Sequence, residues 1–112
     1  RVLKRGGHFV FSIVHPCLED MVVNGVRTRA AERYFDDIRH FIEWKMERLT
    51  KPFKTLSFHR SLTVYSSVLA KNHLLISRIV EPRPTRRAMR EHPKLRDALV
   101  RPQSIVFDTL KL

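Results

Sequence analysis

The sequence predicts an α/β fold in which a small sheet is flanked by helices. Residues 8–14 are β-branched, aromatic and almost wholly apolar, and they lie between Gly6-Gly7 and His15-Pro16. This pattern is typical of a strand buried on both faces, as in a parallel sheet. Residues 74–80 and 104–110 have the same strand character, and a helical pattern lies between the first strand and these two.

That helix is predicted over residues 61–71. Ser61 or Thr63 can cap its first turn, and Asn72 can adopt the left-handed conformation that ends a helix. Its apolar positions form one stripe, which consists of Leu62, Tyr65, Val68 and Leu69. Further along, Thr85 can cap a short helix that runs to Glu91, and residues 94–100 form another turn or two before the last strand.

The middle of the chain is less regular. Asn24-Gly25 is a turn signal, and the spacing of apolar residues favours a short helix near 28–39. Residues 41–47 fit either a continuation of this helix or a strand, because Ile42, Trp44 and Met46 alternate with charged residues. We favour a β-hairpin of 41–47 with 53–59.

The balance of charge raises the question of a partner. The 112 residues include 22 Lys and Arg against 11 Asp and Glu, a net charge of +11, which suits nucleic acid or an anionic membrane. The densest basic stretch, 83–101, contains no aromatic residue on which a base could stack. This stretch is therefore either a solvated helical face or a patch that binds nucleic acid or another anion.

Other features limit the class of protein. One cysteine excludes an internal disulfide, and no apolar run approaches the roughly 18 residues of a membrane span. The segment Arg1–Arg5 has no apolar stretch behind it, so no signal peptide is predicted. We expect a cytoplasmic protein.

Candidate site residues follow the predicted strands. His15, after the first strand, could act as a base or bind a polar substrate group, since ligands of open α/β sheets bind at the carboxyl ends of strands; alternatively it only shapes the turn. Cys17 could be a nucleophile or simply a semi-buried thiol. His59 and Arg60 join the hairpin to the helix and could position a substrate or form a polar hinge. Tyr34, Phe35 and Trp44 could line a pocket or belong to the core.

Two kinds of site are not indicated. No two of the six histidines have the spacing of helical metal ligands and no cysteine pair exists, so no metal site is predicted. The three glycines provide no Gly-rich loop between a strand and a helix that could hold a phosphate or a nucleotide.

Several motifs, taken in order, resemble the C-terminal half of class I S-adenosylmethionine-dependent methyltransferases. The first, LKRGGHFVFS, is similar to the family's LKPGGxFVFS turn into its fifth strand, with Arg5 where proline is usual. The resemblance continues through His15-Pro16-Cys17, residues 59–65 (HRSLTVY), Glu81-Pro82-x-Pro84 and residues 101–107 (RPQSIVF). Asn72-His73-Leu74 departs from the family's small-Gly-Phe turn.

The resemblance implies a partial Rossmann-like domain over residues 1–112. Of the family's strand order 3-2-1-4-5-7-6, with strand seven antiparallel, the chain would keep 5-7-6. Residues 17–60 would be a lid inserted over the active site, which selects a small-molecule methyl acceptor. His15 and His59 are then candidate catalytic residues, and Tyr34, Trp44 and Arg60 candidate substrate-binding residues.

In this family S-adenosylmethionine is held by a Gly-rich loop and an acidic residue that would lie upstream of Arg1. The chain alone is therefore expected to bind the cofactor poorly and to be inactive. Its strand 8–14 would lose a neighbour, so its partner is the missing N-terminal half, a second copy bound through that strand, or a separate chain that brings the cofactor site. The alternative function is a basic nucleic-acid-binding module without catalysis.

Overall fold

The computed structural model describes residues 2–112, which form strands, two α-helices and two short 3-10 helices. In chain order these are β1 (His8–Val14), β2 (Asp20–Val23), β3 (Val26–Arg29), the 3-10 helix Ala30–Glu32, β4 (Ile38–Trp44), β5 (Phe53–His59), α1 (Leu62–Lys71), β6 (Leu74–Val80), α2 (Arg86–Glu91), the 3-10 helix Pro93–Leu99 and β7 (Ser104–Lys111).

The main sheet has the order β1-β7-β6, with β7 antiparallel to both neighbours. β1 and β6 are therefore parallel to each other, and their carboxyl ends lie at the same edge of the sheet. The mixed sheet and the strand order 5-7-6 implied by the resemblance are confirmed.

One face of this sheet is covered by α1. Leu69 packs there against Ile105 and Phe107 of β7, and apolar side chains of β1 and β6 join the cluster. Phe107 is 2% exposed, and its ring stacks on Phe11 at 5.1 Å and on Tyr65 at 6.5 Å between centroids. Residues of β7 alternate between this buried face and the opposite one, as a pleated strand requires.

The opposite face is open. Val10 and Val14 of β1 are 59% and 54% exposed, and Leu75 and Val80 of β6 are also exposed. The prediction that residues 8–14 are buried on both faces is therefore wrong for residues 2–112. The reason is that α1 covers one face of the sheet and none of the described residues covers the second; β1 also has a neighbouring strand on one side only.

Residues 17–60 form two hairpins. β2 and β3 are joined by Asn24-Gly25, whose φ values of 51° and 78° fit the type I′ turn. β4 pairs with β5 from Ile38 opposite His59 to Trp44 opposite Phe53.

The helix predicted near 28–39 is wrong, because its apolar residues are buried from separate elements. Ala30 of the first 3-10 helix and Ile38 of β4 pack with Met21 of β2. The hairpin preferred for the next segment is confirmed, but its first strand lies three residues earlier than 41–47, where Ile38 reaches this cluster.

The ends of the helices show which capping predictions hold. Thr85 caps α2 as predicted, since its Oγ1 accepts a hydrogen bond from the Ala88 N–H at 3.1 Å. Ser61 precedes α1 but makes no side-chain capping bond; the Tyr34 hydroxyl accepts from the Leu62 N–H at 2.9 Å instead. Asn72 is not left-handed: the positive φ of 57° belongs to His73.

We expect Phe107→Ala to lower the free energy of unfolding by about 3–5 kcal/mol, because it leaves a cavity where β1, β7 and α1 meet. Phe35→Ala removes an equal side chain that is exposed and should change stability by less than about 0.5 kcal/mol. Urea unfolding followed by circular dichroism measures both. Equal losses would contradict the position of Phe107 in the core.

We also expect the isolated chain to associate through β1 or to be only marginally stable, because an uncovered apolar edge strand pairs with other strands. Val10→Lys should reduce association in sedimentation velocity over a concentration series. Val68→Lys adds the same charge on the exposed side of α1 and should not. A wild-type chain that is a stable monomer throughout would refute this expectation.

Candidate functional site

A pocket lies at the carboxyl end of β1, between the end of β5 and α1. Its cavity volume is ≈ 180 Å³. Apolar groups form one part of its wall, and a carboxylate, a guanidinium and a phenol form the other. It is lined by Ile13, Val14, Pro16, Glu19, Ser57, Phe58, Arg60 and Tyr65.

His15 is buried beside this pocket and links the ends of two strands. Its Nε2 donates to Glu81 Oε1 at 2.7 Å, and its Nδ1 accepts from the Cys17 N–H at 3.3 Å. Both ring nitrogens are thus used within the chain, which corresponds to a neutral ring protonated on Nε2. His15 fixes the turn that follows β1 and ties it to Glu81, which directly follows β6, while Cys17 is a half-buried free thiol.

His59 lies deeper, at 1% exposure. Its Nε2 donates to the Tyr34 carbonyl at 3.0 Å. Its Nδ1 faces Glu19 Oε2 at 3.5 Å and makes no hydrogen bond. On the other side of the same carboxylate, His40 Nε2 donates to Glu19 Oε1 at 3.2 Å. Glu19, whose side chain is 10% exposed, therefore lies between two buried imidazoles.

Arg60 and Tyr65 supply the polar groups on the helix side of the pocket. The Arg60 guanidinium lies 4.7 Å from the centroid of the Phe58 ring and makes no ion pair with any residue of 2–112. Burial raises the pKa of the Tyr65 phenol; the charge of Arg60 acts to lower it and that of Glu19 to raise it. Tyr65 therefore keeps its proton at neutral pH and is available as a hydrogen-bond donor.

The aromatic residues that were candidates for the pocket wall lie in different parts of the structure. Tyr34 lies at the site: its ring packs edge-on against His59 at 6.1 Å, and its hydroxyl caps α1. Trp44 pairs with Phe53 at the other end of the hairpin, about 20 Å along the strand from His59 at about 3.3 Å per residue. There its Nε1 donates to Thr55 Oγ1. The structure brings His15, His59, Tyr34 and Arg60 into one region and leaves Trp44 outside it.

Sequence reasoning did not single out Glu19 and His40, and it did not place Tyr65 at the pocket. Glu19 and His40 lie in the irregular middle segment, where no periodicity marks them. The stacking of Tyr65 on Phe107 confirms its place in the apolar stripe of the helix, and Tyr65 also lines the pocket. Only the pairing of β4 with β5 brings His40 and His59 to the same carboxylate.

Residues 2–112 contain neither a metal-binding group of side chains nor a membrane-spanning helix. No three His, Cys, Asp or Glu side chains are grouped there in a way that could hold a metal ion. None of the helices described there is long and apolar enough to cross a membrane.

Comparisons with known proteins identify the fold. No protein-family profile and no curated protein matches the chain. Solved structures do match it, and the following two are among them. A protein of Listeria monocytogenes assigned to the S-adenosylmethionine-dependent methyltransferases has a TM-score of 0.71 and 24% identity, over 99% of this chain and 50% of its own. An S-adenosylmethionine-dependent methyltransferase of Mesorhizobium loti has a TM-score of 0.68 and 26% identity, over 97% and 50%.

The chain thus spans about half the length of each of these two proteins. Its strand order, with an antiparallel strand between two parallel ones, agrees with the end of the order that the sequence motifs imply. The chain has the fold of the C-terminal half of an S-adenosylmethionine-dependent methyltransferase.

Proposed function

We propose that the chain is the acceptor-side half of a methyltransferase that transfers a methyl group from S-adenosylmethionine to a small molecule. The observation that carries this proposal is the pocket at the carboxyl end of β1, within a fold that matches methyltransferases over nearly the whole chain. Ligands of open α/β sheets bind at that end of the strands.

Within this proposal, residues 17–60 act as the lid that selects the acceptor, because β5 and the segment before β2 supply half of the pocket wall. Arg60 and Tyr34 belong to the substrate-binding side. His59 acts through Glu19, and His15 holds the turn that carries Pro16 into the pocket. A role for His15 as a base would require its Nδ1 lone pair to be released from the hydrogen bond with the Cys17 N–H. Catalysis would then rest mainly on the alignment of the acceptor, assisted by proton acceptance.

We infer that the cofactor site lies outside residues 2–112. Gly6 and Gly7 precede β1 and Gly25 lies in a hairpin turn, so no Gly-rich loop joins a strand to a helix. In the proposed enzyme the other half of the fold forms the binding site for S-adenosylmethionine. The uncovered edge and face of β1, with Val10 and Val14 exposed, are where that half would pack, since both faces of such sheets are normally covered.

The test compares the 112-residue chain with a protein extended upstream by the preceding coding sequence. We expect calorimetry to detect S-adenosylmethionine binding by the extended protein and little or none by the chain alone. Transfer of labelled methyl from S-adenosylmethionine to a panel of phenols, amines and carboxylic acids should be found only with the extended protein. Micromolar binding by the 112-residue chain, or an extended protein with neither binding nor transfer, would overturn the proposal.

The alternative function is nucleic-acid binding, and one basic groove on the surface is a candidate site for it. A groove between α2 and the 3-10 helix Pro93–Leu99 is lined by Arg86, Arg90 and Arg96 and by no acidic residue. Its other lining residues, Met89, Pro93 and Leu99, offer no ring for base stacking.

We expect fluorescence anisotropy at about 50 mM salt to show only weak binding of duplex DNA or single-stranded RNA. Arg86→Met with Arg90→Met would remove such binding if this groove carried it. Tight binding that falls steeply with salt and is lost in this double variant would favour the nucleic-acid function instead.

A further inference from the structure

We propose that the pocket beside Glu19 binds a small ligand that carries both an anionic group, contacted by Arg60, and an N–H or O–H donor, whose hydrogen bond Glu19 accepts. The chemical class is a hydroxy- or amino-substituted carboxylic acid with an apolar or aromatic body. This inference rests on the proposed function, because it names the acceptor class for the same pocket.

The first step of the argument concerns the proton between Glu19 and His59. His59 Nε2 donates to the Tyr34 carbonyl, so its Nδ1, which faces Glu19 Oε2 at 3.5 Å, carries a lone pair when the ring is neutral. A lone pair and a carboxylate oxygen repel each other, and both groups are buried. A shared proton turns this repulsion into a charge-assisted hydrogen bond. The pair therefore holds one proton more than a neutral imidazole and a carboxylate.

The second step concerns the hydrogen-bond acceptor positions that remain free on the Glu19 carboxylate. A carboxylate has about four acceptor positions on its two oxygens. His40 uses one through Oε1, and the shared proton proposed above would use one on Oε2, which faces His59 Nδ1. Since Glu19 also lines the pocket, its remaining positions can accept a hydrogen bond from a ligand. The imidazoles on β4 and β5 hold the carboxylate in place, so little conformational freedom is lost when a donor binds.

The third step is the opposite charge on the same pocket. Arg60 has no acidic partner among residues 2–112, although its guanidinium offers five donors. Arg60, Glu19 and Tyr65 line the same pocket, and the charges of Arg60 and Glu19 act on the pKa of the Tyr65 phenol with opposite signs. A ligand with an anionic group and a donor therefore matches both charges, and the phenol provides a further donor.

The volume of the pocket and its apolar wall determine the size and character of the rest of the ligand. A cavity of ≈ 180 Å³ is smaller than the roughly 300–1,000 Å³ of drug-sized sites. The remaining wall consists largely of Ile13, Val14, Pro16 and the Phe58 ring, which suit a compact apolar or aromatic body.

The proton-sharing step is tested by ¹⁵N NMR of histidine-labelled protein. We expect His59 to carry a hydrogen-bonded proton on Nδ1 at neutral pH. In Glu19→Gln the amide N–H can donate to Nδ1, so the fold is kept and His59 should become neutral with its proton on Nε2 only. A wild-type His59 already in that neutral form would show that the ring carries no proton on Nδ1 and would overturn this step.

Ligand class is tested with three probes, 4-hydroxybenzoate, phenol and benzoate, titrated by NMR into the 112-residue chain and the extended protein. We expect 4-hydroxybenzoate to bind about 10- to 100-fold more tightly than either probe that lacks one group. Arg60→Met should remove its advantage over phenol, and Glu19→Gln its advantage over benzoate. The matched controls Arg86→Met and Glu43→Gln change an arginine and a glutamate that do not line this pocket and should have no effect.

The outcomes separate this inference from the proposed function. Equal binding of the three probes, or binding unaffected by Arg60→Met and Glu19→Gln, would overturn the ligand class even if the extended protein methylates another acceptor. Selective binding of 4-hydroxybenzoate by an extended protein that neither binds S-adenosylmethionine nor transfers methyl would support the pocket and overturn the methyltransferase proposal.

Discussion

The antiparallel pairing of β7 with both of its neighbours is the constraint on which the rest of this structure depends. Because β1 and β6 each run opposite to β7, they are parallel, and the residues that follow them emerge at the same edge. His15 follows β1 and Glu81 follows β6, and the two side chains meet at 2.7 Å across the start of β7. The same strand supplies Ile105 and Phe107, on which α1 packs. The position of α1 then sets where Tyr65 lies in the pocket.

The buried carboxylate of Glu19 plays a similar part for residues 17–60. It contacts His40 of β4 and His59 of β5, so one side chain joins the segment after β1 to both strands of the second hairpin. Tyr34 adds two bonds at the same place, with its carbonyl to His59 and its hydroxyl to the first N–H of α1. Glu19, which contacts both strands of the hairpin, therefore also lines the pocket. Loss of the Glu19 side chain would therefore act on both the hairpin and the pocket.

The regular elements could be predicted from the sequence because their signals are local. Apolar runs gave the strands 8–14 and 74–80, the stripe from Leu62 to Leu69 gave α1, and Thr85 gave the cap of α2. The prediction failed at 28–39, where Ala30 and Ile38 are buried from different elements and only resemble one helix face. It placed His59 and Arg60 directly before α1, where they lie, and their roles in a site stay predictions. It could not find Glu19 or His40, because a buried carboxylate between two imidazoles is created by strand pairing over distances of 21 and 40 residues and leaves no periodic signal.

The exposed face of β1, which the sequence predicts to be buried, lies next to the pocket. The apolar character of Val10 and Val14 fits a strand with both faces covered, yet in residues 2–112 both side chains are exposed. Val14 also lines the pocket, so whatever covers β1 lies against the pocket wall. If the other half of the methyltransferase fold packs on β1, it closes the pocket and buries the edge in one step. Ligand binding and completion of the fold would then be linked, and each would strengthen the other by the same factor.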